Sequence, residues 1–210
     1  MKTFIVSLIL IFMSMPLSAQ DNEVETLFGG ETEIGGWGGP ELKLTQYHGN
    51  WGVMLGGKGG TLLNSTLGIG GAGYILMTSH RIDGYVHNVN PYAEKASYLR
   101  DMYGGLLLEY INSSDRMIHF TANAIIGAGI AAYTDALKYS DRYNNDDWVR
   151  EASAYFVFEP GLTVDINLTQ FFRFSVGAGY RFISGLDLPK TDANDIGGIT
   201  AFATFKFGDF

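Results

Sequence analysis

The stretch Phe171-Phe-Arg-Phe-Ser-Val-Gly-Ala-Gly-Tyr-Arg-Phe182 decides how the rest of the chain is read. Phe172, Phe174, Val176, Ala178, Tyr180 and Phe182 hold its even positions. Arg173, Ser175, Gly177, Gly179 and Arg181 hold the odd positions between them. A period of two sends the two classes to opposite faces of a β-strand, whereas a helix would mix them on every side.

The same alternation recurs along the chain. Ile118, Phe120, Ala122, Ala124, Ile126, Ala128 and Ile130 oppose His119, Thr121, Asn123, Gly127 and Gly129. Ala154, Phe156, Phe158, Leu162, Val164 and Ile166 oppose Ser153, Glu159, Thr163 and Asp165. Met102, Leu106, Leu108 and Tyr110 oppose Asp101 and Glu109, and Ile199 to Phe207 oppose Thr200, Thr204 and Lys206. Leu42 and Leu44 oppose Glu41 and Lys43, and Trp51, Val53 and Leu55 oppose Lys58. The pattern predicts eight strands, near residues 40–47, 51–63, 67–78, 98–111, 117–132, 152–166, 170–183 and 198–208. Several are longer than the ~5–6 residues usual in globular proteins. They match the ~9–11 residues of a tilted strand crossing a bilayer, with some overhang.

The connections add independent information. Asn64–Thr66, Asn112–Asp115 and Asn167–Thr169 are short; Ser79–Ser97, Thr134–Arg150 and Ser184–Gly197 are long. Only the connection around Gly49 is short on the long-loop side. The three short ones match the glycosylation pattern N-x-[ST], but Asn, Ser and Thr also form turns through local backbone hydrogen bonds, and that is their role here. An even strand count with short turns at one end and long polar loops at the other marks an outer-membrane barrel. The expected fold is therefore all-β: an eight-stranded antiparallel up-and-down transmembrane β-barrel, with both termini in the periplasm and the long loops outside the cell.

Alternation alone does not say which face is inside. The polar face is mostly glycine, serine and isolated charges, a poor coat for a soluble protein. The apolar face carries aromatics near both ends, Phe172 and Phe174 at one and Tyr180 and Phe182 at the other, as two interfacial girdles would. A charge facing lipid at mid-depth costs roughly 2–4 kcal/mol, and no such charge falls there in the clear strands. The expected interior is a polar network of Glu41, Lys43, Lys58, Asp101, Glu109, His119, Glu159, Asp165, Arg173, Arg181 and Lys206. Asp165 and Arg173 flank a tight turn and are expected as cross-strand neighbours. Arg100 falls on the lipid side near the outer end of its strand, where it can snorkel.

Gly68-Ile-Gly-Gly-Ala-Gly73 contains G-x-G-x-x-G, but Tyr74 to Thr78 continue as strand, where a dinucleotide site needs a helix. Gly-Ala-Gly recurs at 71–73, 127–129 and 177–179. In the last two both glycines face inward, and the same phase is expected for the first. There they make room for long inward side chains and permit strong coiling.

The chain begins with Lys2, an apolar run from Phe4 to Met15, Pro16 and a small residue at Ala19, which reads as a secretory signal over 1–19. Residues 20–38 read as a periplasmic N-terminal arm and 39–210 as the barrel. There are no cysteines, so stability must come without disulfides. The net charge of -8 and the lack of a basic run exclude nucleic acid as a partner. No metal or cofactor motif is present.

With strand count, loop asymmetry, signal and terminal Phe210 in view, the chain resembles the small eight-stranded outer-membrane barrels of the OmpA transmembrane-domain and OmpX type. Phe205 and Phe207 are in phase while Phe210 is offset by one. The resemblance implies a Gram-negative outer membrane, lipid and lipopolysaccharide as surroundings and the barrel-assembly machinery as a partner. The functional expectation is a non-enzymatic structural or surface-interaction role with an extracellular ligand, through loops bearing His80, Arg81, Tyr85, His87, Tyr92 and Lys95, and Asp135, Asp141, Arg142, Asp146, Asp147 and Trp148. The alternatives are a narrow, porin-like solute channel and a lipid A-modifying enzyme using Ser79, His80 and His87.

Overall fold

A computed structural model describes residues 33–90, 93–135 and 149–210, with side chains at 33–82, 97–134 and 151–210. The expected signal, most of the expected arm and the loop residues Tyr92, Asp141, Arg142, Asp146, Asp147 and Trp148 lie outside the described residues, as do the side chains of Tyr85, His87, Lys95 and Asp135.

The described chain forms β1 (Ile34–Tyr47), β2 (Asn50–Leu63), β3 (Leu67–Leu76), β4 (His80–Asn90), β5 (Ala93–Asn112), β6 (Ile118–Asp135), β7 (Val149–Asn167), β8 (Phe172–Ser184), the short helix α1 (Ala193–Ile196) and β9 (Gly198–Asp209). All pairings are antiparallel. The order β3-β2-β1-β9-β8-β7-β6-β5 closes on itself through β3–β5. The result is a closed eight-stranded barrel, and the edge-strand problem disappears. First and last strands meet in register, with Leu44 opposite Ala201 and Thr45 opposite Thr200.

The ninth strand corrects the reading of 79–97 as an irregular loop. β4 stands outside the ring and pairs only with the outward extension of β5, Arg81 opposite Tyr98. Its sequence places Ile82, Tyr85, Val86 and Val89 at no constant period of two, so it lacks the apolar periodicity that revealed the others. β1 also begins earlier than expected, at Ile34, which draws 34–38 into the sheet.

The turns follow local chemistry. Tyr47 pairs with Asn50 across a two-residue turn, His48 and Gly49, both at positive φ (48° and 75°). That backbone twist matches the twist of the flanking strands. Asn64 and Ser65 are also left-handed. Asn64 Oδ1 accepts the Glu33 N–H at 3.1 Å, and Asn167 Nδ2 donates to Ser114 O and Arg116 O at 2.9 and 2.8 Å. Asparagine thus ties the short turns to their neighbours.

The side chains distribute opposite to those of a soluble barrel. Leu42, Trp51, Ile69, Ile75, Phe120, Phe156 and Leu162 are exposed on the outer face, while Lys43, Glu41 and Arg181 are buried inside. Phe172, Phe174, Phe205 and Phe207 stack on the outside of β8 and β9 at the termini end, Phe172 on Phe207 at 4.8 Å. Phe158, Tyr180 and Phe182 group outside nearer the long-loop end.

The glycines correct one expectation. Gly127, Gly129, Gly177 and Gly179 point inward as expected, but Gly71 and Gly73 face outward and Ala72 packs toward the core. A run with neither large apolar nor charged residues holds no contrast from which to read phase. Inward Gly70 does meet a need for space: a Cβ there would lie 2.0 Å from Gly59 O.

Candidate functional site

The interior is built in levels, each held by strands from several sides of the ring. All eleven residues of the expected polar network are buried. Five are cations (Lys43, Lys58, Arg173, Arg181, Lys206) and five are carboxylates (Glu41, Asp101, Glu109, Glu159, Asp165), with His119 the eleventh. The buried charge is balanced, so the chain's net charge of -8 resides elsewhere.

At the termini end, the Arg173 guanidinium lies 3.9 Å over the Phe210 ring and donates to Ser114 O at 3.3 Å. The offset phase of Phe210 has a structural meaning here: its ring packs against the core while Phe205 and Phe207 remain outside. Lys206 sits over Trp37 at 4.5 Å and reaches Glu109 at 3.4 Å and Asp165 at 3.5 Å. Asp165 also accepts from Thr121 and Ser175, with His119 Nε2 at 3.7 Å. The expected Asp165–Arg173 pairing is corrected. The turn is longer than expected, so Ser175 stands opposite Asp165 and Asn167 opposite Arg173.

The middle level is the densest. Lys43 reaches Glu159 at 2.8 Å and Glu41 at 3.6 Å, and Lys58 reaches Glu41 at 2.9 Å. Thr204 donates to Glu41 at 2.6 Å; Thr200, at 3.0 Å, and Tyr103 donate to Glu159. The Lys43 ammonium lies 3.7 Å above the Tyr74 ring, with Phe202 within 5.5 Å of both lysines. Desolvating such ions is costly, and each carboxylate here recovers part of that cost through two or more partners.

Above it, Arg181 is wholly buried, 3.3 Å from Asp101, whose oxygens also accept from Tyr47 and Tyr155. Arg181 further donates to Ile196 O in the last connection. That connection folds over the mouth. Tyr133 donates to Pro189 O, His48 N donates to Asp195 O at 2.8 Å, and the His48 ring lies 3.0 Å from Thr191 Oγ1 and 3.6 Å from Asp195 Oδ1. His80 lies beyond β3, 2.9 Å from Thr78 Oγ1 and against the Tyr47 ring. Burial lowers its pKa first, and nearby His48 adds to the shift.

Sequence reasoning missed the neutral half of the network: Tyr47, Tyr74, Tyr103, Tyr155, Met54 and Phe202. Their signal was parity. Tyr155 shares the phase of Glu159, Tyr103 that of Asp101, and Phe202 that of Thr200 and Thr204.

The molecule is thus an eight-stranded up-and-down barrel with an apolar outer face, a packed ionic bore and a mouth covered by its last connection. No family model matches the sequence, and no curated protein matches it. Among solved structures it is similar to Neisserial surface protein A, at 10% identity and a TM-score of 0.49 over 85% of this chain and 99% of that one. It is also similar to the N-terminal β-barrel domain of Pseudomonas aeruginosa OprF (15%, TM-score 0.42, 82% and 96%). A third is Ail, the attachment invasion locus protein of Yersinia pestis, solved with the heparin analogue sucrose octasulfate (12%, TM-score 0.45, 85% and 99%).

Proposed function

We propose that the protein is an outer-membrane barrel with its termini in the periplasm, acting without catalysis as a rigid mount that presents its long-loop end at the cell surface. One observation carries this reading: an uncharged, largely apolar outer band encloses a bore in which cations and carboxylates are paired at each level. In hydrocarbon, unpaired backbone groups require closure, and outward charge is costly; this arrangement meets both conditions. The β4–β5 hairpin extends past the ring and supplies the surface a partner would meet.

The channel reading is weakened because Lys43, Glu159, Tyr103 and Phe202 occupy the middle of the bore. The enzyme reading is weakened because His80 is engaged with Thr78 and lies beside His48 and Tyr47 rather than beside a carboxylate. An epitope inserted between Asn90 and Ala93 tests the proposal. Labelling of intact cells, with silent planar bilayers, is the expected result. Labelling only after lysis would reverse the orientation, and stepped conductance would restore the channel.

A further inference from the structure

The outer face is not uniformly greasy. On one side it is bare. Gly57 pairs with Gly73, Gly73 with Gly104, and Gly104 with Ala128, so four adjacent strands present almost no side chain along one outward row. The next row toward the long loops is bulky: Ile75 pairs with Met102, and Met102 with Ile130. Between floor and wall lies an open furrow of about 670 Å³ whose lining includes Gly73, Gly104 and Ala128 below and Ile75, Met102 and Ile130 beside them.

Barrel packing explains the missing side chains at only part of this row. A Cβ on Gly104 would lie 2.9 Å from Ala72 O and one on Gly57 3.2 Å from Gly39 O, so the sheet itself favours glycine there; a Cβ on Gly73, between them, would meet only Tyr103 O at 3.9 Å. Strand preference would favour a branched or aromatic residue at such sites, and glycine weakens a strand. At Gly73, the centre of the floor, the missing side chain is therefore a feature of outer shape.

Arg100 adds charge to that shape. It stands on the same face of β5 as Met102, one outward position nearer the long loops, and pairs in register with Ala132, which leaves its guanidinium room. It is half-buried and makes no ion pair among the described residues. Arg100 and Tyr110 are ten positions apart in β5. At about 3.4 Å per residue and a tilt of ~40° they are separated by about 26 Å, the height of the apolar band. The guanidinium thus lies at headgroup level, directly above the furrow.

We propose that the furrow and Arg100 together hold one acyl lipid with an anionic phosphate headgroup, a site that rests on the membrane reading above. Its chain lies along the backbone of Gly73, Gly104 and Ala128, and its phosphate pairs with the Arg100 guanidinium, whose fork fits phosphate oxygens. A chain moving from bulk lipid gains nothing by leaving water, so retention comes from close fit against bare backbone and from the headgroup pair. The headgroup pair sets selectivity, and the fit sets residence.

Native mass spectrometry of the full chain in nonionic detergent, titrated with phosphatidylglycerol or phosphatidylcholine, tests this. A retained phosphatidylglycerol adduct is expected, about tenfold weaker in Arg100→Gln, with a smaller loss for phosphatidylcholine, whose choline cation already offsets its phosphate. Gly73→Leu fills the furrow and should weaken both lipids. Ala128→Leu does the same should Gly73→Leu fail to fold. Equal phosphatidylglycerol retention in wild type, Arg100→Gln and the filled variant would overturn the proposal. A lipid-free dimer dispersed by Gly73→Leu would also overturn it, in favour of a second copy as occupant. Heat-modifiable gel mobility, followed in every variant, separates these results from failure of the membrane reading, which would appear instead as a protein monodisperse without detergent.

Discussion

Two contacts between a nitrogen base and a carboxylate lie at different depths in this barrel. Lys43–Glu159 lies at mid-bore with both side chains 1–2% exposed; His48–Asp195 lies at the mouth with 28% and 34% exposed. The first is locked among Glu41, Tyr103, Thr200 and the Tyr74 ring. The second ties a two-residue turn to a connection that can move. Depth decides what each contributes. A buried pair adds little net stability over an apolar replacement, yet leaves a stranded charge when one partner goes. An exposed pair is screened and adds little either way.

The strongest way to break this contrast is Lys43→Met. It leaves Glu159 and Glu41 buried with their cation gone or reduced, at an expected cost of about 3–5 kcal/mol. Urea titration of the heat-modifiable band in lipid vesicles measures it. The exchanged pair Lys43→Glu with Glu159→Lys should recover part of the loss. A cost near that of a surface pair would show that water or rearrangement fills the bore, and would reopen the channel reading.

The next effect compares two faces of one strand. Arg181 is wholly buried on the inner face of β8, while Val176 is 41% exposed on the outer face. Val176→Arg should destabilise the barrel by roughly 2–4 kcal/mol in bilayers. A neutral result would mean that this face does not meet hydrocarbon.

At the mouth the expected change is local. Asp195→Asn should alter global stability by no more than about 1 kcal/mol. It should modestly speed trypsin cleavage after exposed Lys190, because the connection loses its carboxylate contact with the His48 ring while the His48 N–H bond to Asp195 O, Tyr133 and Arg181 still hold it. Unchanged cleavage would assign the closure to those remaining bonds.

How much of this was legible in the sequence follows from contrast. Where apolar and polar residues alternate, as in 171–182, strand and facing were readable, and the ionic half of the bore followed from them. Tyr47, Tyr103 and Phe202 were hidden because an aromatic ring suits either face, and only its parity with charged neighbours reveals it. Gly71–Gly73 was misread because glycine carries no preference for lipid or for ions. Register failed at Asp165 because turn length sets it, and a short polar turn does not announce where pairing resumes. β4 was hidden because it crosses no apolar layer. The mouth closure was hidden for a related reason: its bonds run mostly to backbone oxygens of 185–197, which any sequence supplies.

The smallest effect sharpens the account of the mouth through pH. His80 stands above the apolar band, and its pKa is lowered from the ordinary value of 6.5, first by burial against Tyr47 and then by His48. The folded mouth therefore favours the neutral ring. For a base with a depressed folded pKa, the stabilising contribution is complete above the ordinary value and falls away as pH drops from 6.5 through the lower folded value. Protonation also places a positive charge beside the His48 ring. Thr78 Oγ1, which contacts His80 Nε2, accepts the Val53 N–H at 3.1 Å, so the change should reach β2. Amide exchange at Val53 should quicken between pH 7 and 5 in the wild type, whereas the bore at Lys43 stays protected. In His80→Gln the Val53 profile should be flat across that range once intrinsic exchange is removed. If it keeps the wild-type slope, another group governs the mouth, and His48 with Asp195 is the pair to substitute next.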